Sequence, residues 1–179
     1  MNSRLKKLIF MALCCDLGVF AKKLIVPAAN LLTDALHIPG GIGAGFSLLF
    51  IVVACACIPK FGAGTLMGAV QSVIALGMGT VGSMGVLSPV GYIVPAFVID
   101  CVMWAARRLS VPIADAALAA NALGSVAACL AANLIVFRLR GAALLLYVCL
   151  SAFSGAVCGL LAGACAKKIA PLLEKGASS

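Results

Sequence analysis

The sequence predicts an all-α membrane protein with six transmembrane helices and both termini in the cytoplasm. Hydrophobic residues make up 64% of the 179 residues and charged residues only 10%, whereas soluble domains carry roughly 25% charged residues. Between Ile38 and Ile99 the chain holds a single charged side chain, Lys60. Apolar segments of about 18 or more residues are typical of membrane-spanning helices. The whole chain, residues 1–179, is therefore predicted to be one integral-membrane domain.

Breaks in the apolar pattern divide the chain into six predicted helices. Pro27 ends the first helix, the turn Pro59-Lys60-Phe61 joins the second and third into a hairpin, and a glycine-rich link follows the third. The pair Arg107-Arg108 ends the fourth helix, Gly141 precedes the sixth, and Pro112 opens the fifth because proline suits a first helical turn. The predicted helices cover about residues 5–26, 42–58, 62–78, 90–106, 112–137 and 142–166.

Lysine and arginine residues lie at the ends of the apolar segments, where positive charge sets the orientation of a membrane protein. If the N-terminus is inside, the inner side collects nine of them and the outer side four. They form no basic patch with interleaved aromatic residues, so a nucleic-acid partner is not predicted. The inner set is Arg4, Lys6, Lys7, Lys60, Arg107, Arg108, Lys167, Lys168 and Lys175; the outer set is Lys22, Lys23, Arg138 and Arg140.

Rare polar and aromatic side chains cluster at the predicted outer depth of the membrane. Gln71 lies in the middle of the third helix, where an unpaired amide would cost several kcal/mol. Such residues face an interior or a cavity, so contact with a ligand and a hydrogen bond between helices are equally open. Tyrosines are also ordinary residues of the membrane interface, although here they stand at the depth of a pocket that would open outward. The candidate substrate-binding residues are Gln71, Tyr92, Asn133, Tyr147, Phe46 and, in the first outer loop, Asn30, Asp34 and His37.

Two carboxylates, Asp16 and Asp100, fall at membrane depth, where an ionised group needs a partner or a proton. A structural role is favoured, but ion coupling stays open, and with it the alternative of a stand-alone carrier or channel. Small residues also recur at every fourth position of three predicted helices, which is typical of close helix packing. That packing serves either this chain or a partner. The small residues are Gly64, Gly68 and Ser72; Ala116, Ala120, Gly124, Ala128 and Ala132; and Ser151, Gly155, Gly159 and Gly163.

The residues give no support to enzymatic or metal chemistry. None of the nine cysteines forms a CxxC pair, and His37 is the only histidine, so neither a metal site nor a cofactor is predicted. The chain has no phosphate-binding GxxxxGK[ST] motif and no strained nucleophile turn near its histidine. It is predicted not to be an enzyme, and ATP-driven transport would need another subunit.

The pattern of six short helices with a structured first outer loop resembles the substrate-binding S components of energy-coupling factor (ECF) transporters. The resemblance is carried by GAGTLMGAVQSVIALGMG in the third helix and is residue-specific over about Gly41 to Asp100. It is closest to the branch associated with thiamine or its hydroxymethylpyrimidine precursor.

The resemblance implies vitamin uptake by a multi-pass protein of a prokaryotic cell membrane. An S component binds its micronutrient from outside, docks on a membrane T component driven by two ATPase subunits, and releases the solute inside. The first outer loop would cap the ligand. Docking in the family uses a small-xxx-small motif on the first helix; at that spacing this chain has Cys14 with Gly18, or Ala12 with Asp16.

Overall fold

A computed structural model describes residues 3–35, 42–79, 87–137 and 141–175. Within these ranges the chain forms six α-helices and no strand, which confirms the all-α class. A π-helical turn, Asn133–Phe137, extends the fifth helix. The helices are α1 Ser3–Ala35, α2 Ile42–Cys57, α3 Ala63–Gly77, α4 Ser88–Arg108, α5 Ile113–Ala132 and α6 Ala142–Lys175.

Three helical segments are long and apolar enough to cross a membrane: Ser88–Arg108, Ile113–Ile135 and Leu144–Leu173. Helices α2 and α3 are apolar but shorter, with 16 and 15 residues. At 1.5 Å per residue α2 is about 24 Å long, somewhat less than the roughly 30 Å of a bilayer core. These dimensions are consistent with a membrane protein.

The first and last helices are longer than the sequence predicts. Helix α1 continues through Pro27 to Ala35, and α6 continues through Lys167 and Pro171 to Lys175. A proline inside a helix removes one backbone hydrogen bond, which is why the sequence predicts that the first helix ends at Pro27. The sixth helix is predicted to end before the charged pair Lys167-Lys168. Prolines are nonetheless more frequent in membrane helices than in soluble ones because neighbouring groups compensate for the missing bond.

Helix α2 is the centre of the bundle, because it contacts each of the other five helices. Its residues 47–49 and 51–55 are all buried, and Val52 and Ala54 have no exposed surface. A helix that is apolar on every side is expected to be enclosed by protein or lipid. The position of α2 therefore explains why this segment has no polar face.

Helices α5 and α6 approach each other backbone to backbone. A Cβ atom added to Gly159 would lie 2.7 Å from Cα of Leu118, and one added to Gly155 would lie 2.8 Å from Cα of Ala122. A Cβ atom added to Gly68 of α3 would lie 2.7 Å from the carbonyl oxygen of Tyr92 in α4. The glycine faces of α3 and α6 thus pack against other helices of this chain. The sequence left open whether such faces serve this chain or a partner, and for these two the structure displays packing within the chain.

Candidate functional site

Gln71 lies at a contact between α1 and α3. Its side chain is 3% exposed, and its Nε2 donates a hydrogen bond to the carbonyl oxygen of Cys15 at 3.2 Å. A Cβ on Gly18, the next residue of that face, would collide with the same amide nitrogen. Of the two roles that the sequence left open, the structure therefore displays the hydrogen bond between helices.

Tyr92 of α4 meets the same face of α1, one turn further along. The ammonium of Lys22 lies 3.3 Å from the centroid of the Tyr92 ring, a cation–π contact that strengthens when water is excluded. Lys22 is expected from the sequence to extend to the outer interface, but it is partly buried here. Gln71 and Tyr92 therefore lie against the same face of α1, Gln71 at Gly18 and Tyr92 at Lys22.

Phe46 lines a cleft of about 330 Å³ between α1, α2 and α6. Its other walls include Ile25, Phe153 and Ser154, and the surface is almost wholly apolar. The Phe46 ring is fixed by an edge-to-face contact with Phe50, with centroids 6.1 Å apart. The volume is at the lower end of the range for small-molecule pockets, roughly 300–1,000 Å³.

Of the other candidates that the structure describes, none lines this cleft. Asn133 is 6% exposed, and its amide donates to the carbonyl oxygen of Cys129 at 2.9 Å, one turn back on the same helix. It opens the π-helical turn, a feature that is frequent at functional sites. Tyr147 is half-buried in α6. The side chains of Asn30 and Asp34, and the whole of His37, lie outside the described residues.

A buried polar cluster joins α2, α5 and α6, and its members are not among the candidate site residues. Asn121 is fully buried, and its Nδ2 donates to the carbonyl oxygens of Gly45 at 3.1 Å and Gly155 at 2.8 Å. Ser151 donates to the carbonyl oxygen of Ser125 at 2.8 Å. Asn121 Oδ1 and Ser125 Oγ have no hydrogen-bond partner among the described residues. The four-residue spacing of Asn121, Ser125 and Asn133 was the available signal, since it places all three on one face.

The two acids that the sequence predicts at membrane depth have different surroundings. Asp100 is buried, and its carboxylate accepts hydrogen bonds from the backbone N–H groups of Gly64 at 3.0 Å and Thr65 at 2.7 Å, and from the Thr65 hydroxyl at 2.6 Å. It thereby caps the N-terminus of α3, where backbone N–H groups lack helical partners. Asp16 is exposed in the middle of α1 and makes no hydrogen bond or ion pair with the described residues.

The candidate docking residues of α1 point in two directions. Cys14 is 4% exposed, and Gly18 is buried against Gln71. Ala12 is exposed and lies on the same side as Asp16, since residues four apart share a helix face. Of the three, Ala12 alone is available to a partner in this conformation.

No protein family, no curated protein and no solved structure matches the chain. The function must therefore be inferred from the geometry of the residues that the structure describes. In that part of the chain, no group of three or more histidine, cysteine, aspartate or glutamate side chains is placed to hold a metal ion.

Proposed function

We propose that this chain is the substrate-binding membrane subunit of an ATP-driven importer, with six membrane spans and both termini in the cytoplasm. Its ligand is a small vitamin-like solute of the thiamine or hydroxymethylpyrimidine type. The single observation that carries the proposal is the 330 Å³ cleft lined by Phe46. A flat heterocycle stacked on an aromatic ring is a favourable way to fill such an apolar space.

The position of the cleft fits binding from outside. Ile25 of the cleft is 18 residues along α1 from Lys7, so the cleft lies about 27 Å along the helix axis from that basic end. Positive residues favour the cytoplasmic side of a membrane. The cleft therefore belongs to the half that faces outward in the proposed orientation.

The partner subunits follow from the same proposal. A T component and two ATPase subunits would supply the motor, because this sequence has no phosphate-binding loop of its own. We place the docking surface on the exposed side of α1 that carries Ala12 and Asp16. Leu13 and Leu17 beside them are 56% and 50% exposed, and such a surface suits another membrane helix.

Ligand binding is expected to raise the melting temperature of the detergent-purified chain. At a ligand concentration 100 times the dissociation constant, mass action adds about 2.7 kcal/mol, which corresponds to a shift of roughly 5–10 °C for a chain of this size. The measurement is a thermal-melt panel of thiamine, hydroxymethylpyrimidine, other vitamins and nucleobases. Phe46→Ala should lose most of the shift, whereas Phe20→Ala, at a side chain 63% exposed on α1, should keep it. A flat response to the whole panel would refute the proposal.

A stand-alone ion-coupled carrier is the second candidate. The observation in its favour is Asp16, which is exposed and has no hydrogen bond or ion pair with the residues that the structure describes. Asp100 is less suited to that role because its carboxylate already accepts three hydrogen bonds from α3. If the carrier interpretation is correct, the chain alone in liposomes should take up solute under a proton or sodium gradient. Asp16→Asn should abolish that uptake, and Asp115→Asn, at another exposed acid, should not. Absence of uptake without ATPases would exclude the carrier.

A further inference from the structure

A second and larger cavity lies at the other end of the bundle. It measures about 640 Å³ and opens between the start of α1 and the turn that joins α2 to α3. Gly62, in this turn, has φ of +90°, and a Cβ there would meet nothing within 4 Å, so the cavity mouth is open on that side. The side chains that define it, here called the basic groove, are Lys7, Leu8, Met11, Lys60, Phe61 and Leu66.

The basic groove carries two positive charges that no described carboxylate pairs with. Neither the Lys7 nor the Lys60 ammonium has an ion-pair partner in the part of the chain that the structure describes. The two arginines at this end do not line the groove and are engaged by other groups. Arg107 donates to the carbonyl oxygen of Cys55, and the Arg108 guanidinium lies 5.3 Å from the centre of the Trp104 ring. The nearby carboxylate of Asp100 is buried and committed to the backbone of α3.

The walls of the groove are apolar and exposed. Leu8 is 59% exposed, Leu66 53% and Phe61 57%, and Met11 is half-buried between α1 and the core. A free inorganic anion would gain nothing from these side chains. A molecule with an anionic head and an apolar tail would use both the two ammonium groups and the walls.

We propose that the basic groove binds one anionic phospholipid. The phosphate lies between Lys7 and Lys60, and one acyl chain runs along Leu8, Met11 and Leu66. Basic pockets at the ends of membrane helices recognise anionic headgroups in this way, and each lysine near the surface strengthens binding roughly fivefold. The site is independent of the solute transported, so it stands or falls separately from the proposed function.

Native mass spectrometry of the full chain with equimolar phosphatidylglycerol and phosphatidylcholine tests the proposal. We expect one phosphatidylglycerol to be retained with a preference on the order of tenfold or more. Lys7→Gln combined with Lys60→Gln should reduce that preference to near unity. The matched control is Lys167→Gln combined with Lys168→Gln, which removes the same charge from exposed positions of α6 outside the groove and should keep the preference.

Fluorescence quenching of Trp104, the single tryptophan of the chain, reports the position of the lipid. Trp104 lies 6.5 Å from Phe61, measured between ring centroids, so brominated phosphatidylglycerol in the groove should quench its fluorescence more than brominated phosphatidylcholine does. Met11→Phe keeps both lysines but narrows the groove, and it should weaken the difference. An unchanged preference in the groove variant, or an equal loss in the α6 control, would overturn the site. Displacement of the lipid by millimolar inorganic phosphate would instead assign the groove to a free anion and overturn the lipid.

Discussion

Replacing Asp100 by alanine is expected to lower the free energy of unfolding by about 3 kcal/mol. The substitution removes the acceptor for the backbone N–H groups of Gly64 and Thr65 and for the Thr65 hydroxyl. Hydrogen bonds to charged groups contribute about 1.5–3 kcal/mol, and an orphaned buried donor keeps its full desolvation cost. Reversible unfolding of the purified chain in mixed micelles measures the loss.

Two further variants make this test specific. Asp100→Asn keeps one acceptor oxygen and should lose less stability than Asp100→Ala. Asp115→Ala removes an exposed acid from the first turn of α5, where only the helix dipole is affected, so a loss of at most about 1 kcal/mol is expected. Equal stability of Asp100→Ala and the wild-type chain would show that the cap makes no net contribution.

The second large effect is expected at Gly159. An alanine Cβ there would lie 2.7 Å from Cα of Leu118 and 3.0 Å from the carbonyl oxygen of Ala117. Both neighbours are backbone atoms of α5, so neither can rotate away, and the two helices must separate. Overpacking of this kind costs typically 1–3 kcal/mol, which exceeds the gain of up to about 1 kcal/mol in helix propensity. Gly159→Ala should therefore melt at a lower temperature, and Gly159→Leu lower still.

Gly77→Ala is the matched control for Gly159→Ala. It makes the same change at the last residue of α3, where an added Cβ meets nothing within 4 Å. This variant should be as stable as the wild type or slightly more so. If Gly159→Ala were equally well tolerated, the contact between α5 and α6 would have to be looser than these distances indicate.

The sequence predicts local features of this fold, but it does not predict which distant residues contact each other. The apolar segments and their breaks predict six helices, and the glycine spacing of α6 predicts close packing. The end of α1 is not predicted, because proline usually ends a helix, whereas α1 continues through Pro27 to Ala35. The cap on α3 is also not predicted, since 35 residues separate Thr65 from Asp100 and only tertiary structure brings them together.

The candidate site shows the same limit. The sequence identifies Gln71 as an amide that needs a partner, but it does not reveal that Cys15 supplies one. It places Asn121, Ser125 and Asn133 on one face of a helix, and depth alone favours Asn133. Asn121 and Ser125 are both fully buried, and α2 and α6 each present a backbone carbonyl oxygen to the Asn121 amide. Which polar residue on one face of a helix becomes buried depends on the helices that pack against that face. The positions of those helices are set by the packing of the whole bundle.

The central position of α2 has a consequence for the synthesis of the chain. This helix leaves the ribosome second, yet four of the five helices that enclose it are still to be made. Until α6 emerges, Gly45 of α2 has no Gly155 to pack against, and the amide of Asn121 lacks one of its two acceptors. The packing of α2 is therefore complete only after α6, the last helix, has been synthesised. Nascent chains that stop before Ala142 should be preferred targets of membrane quality control.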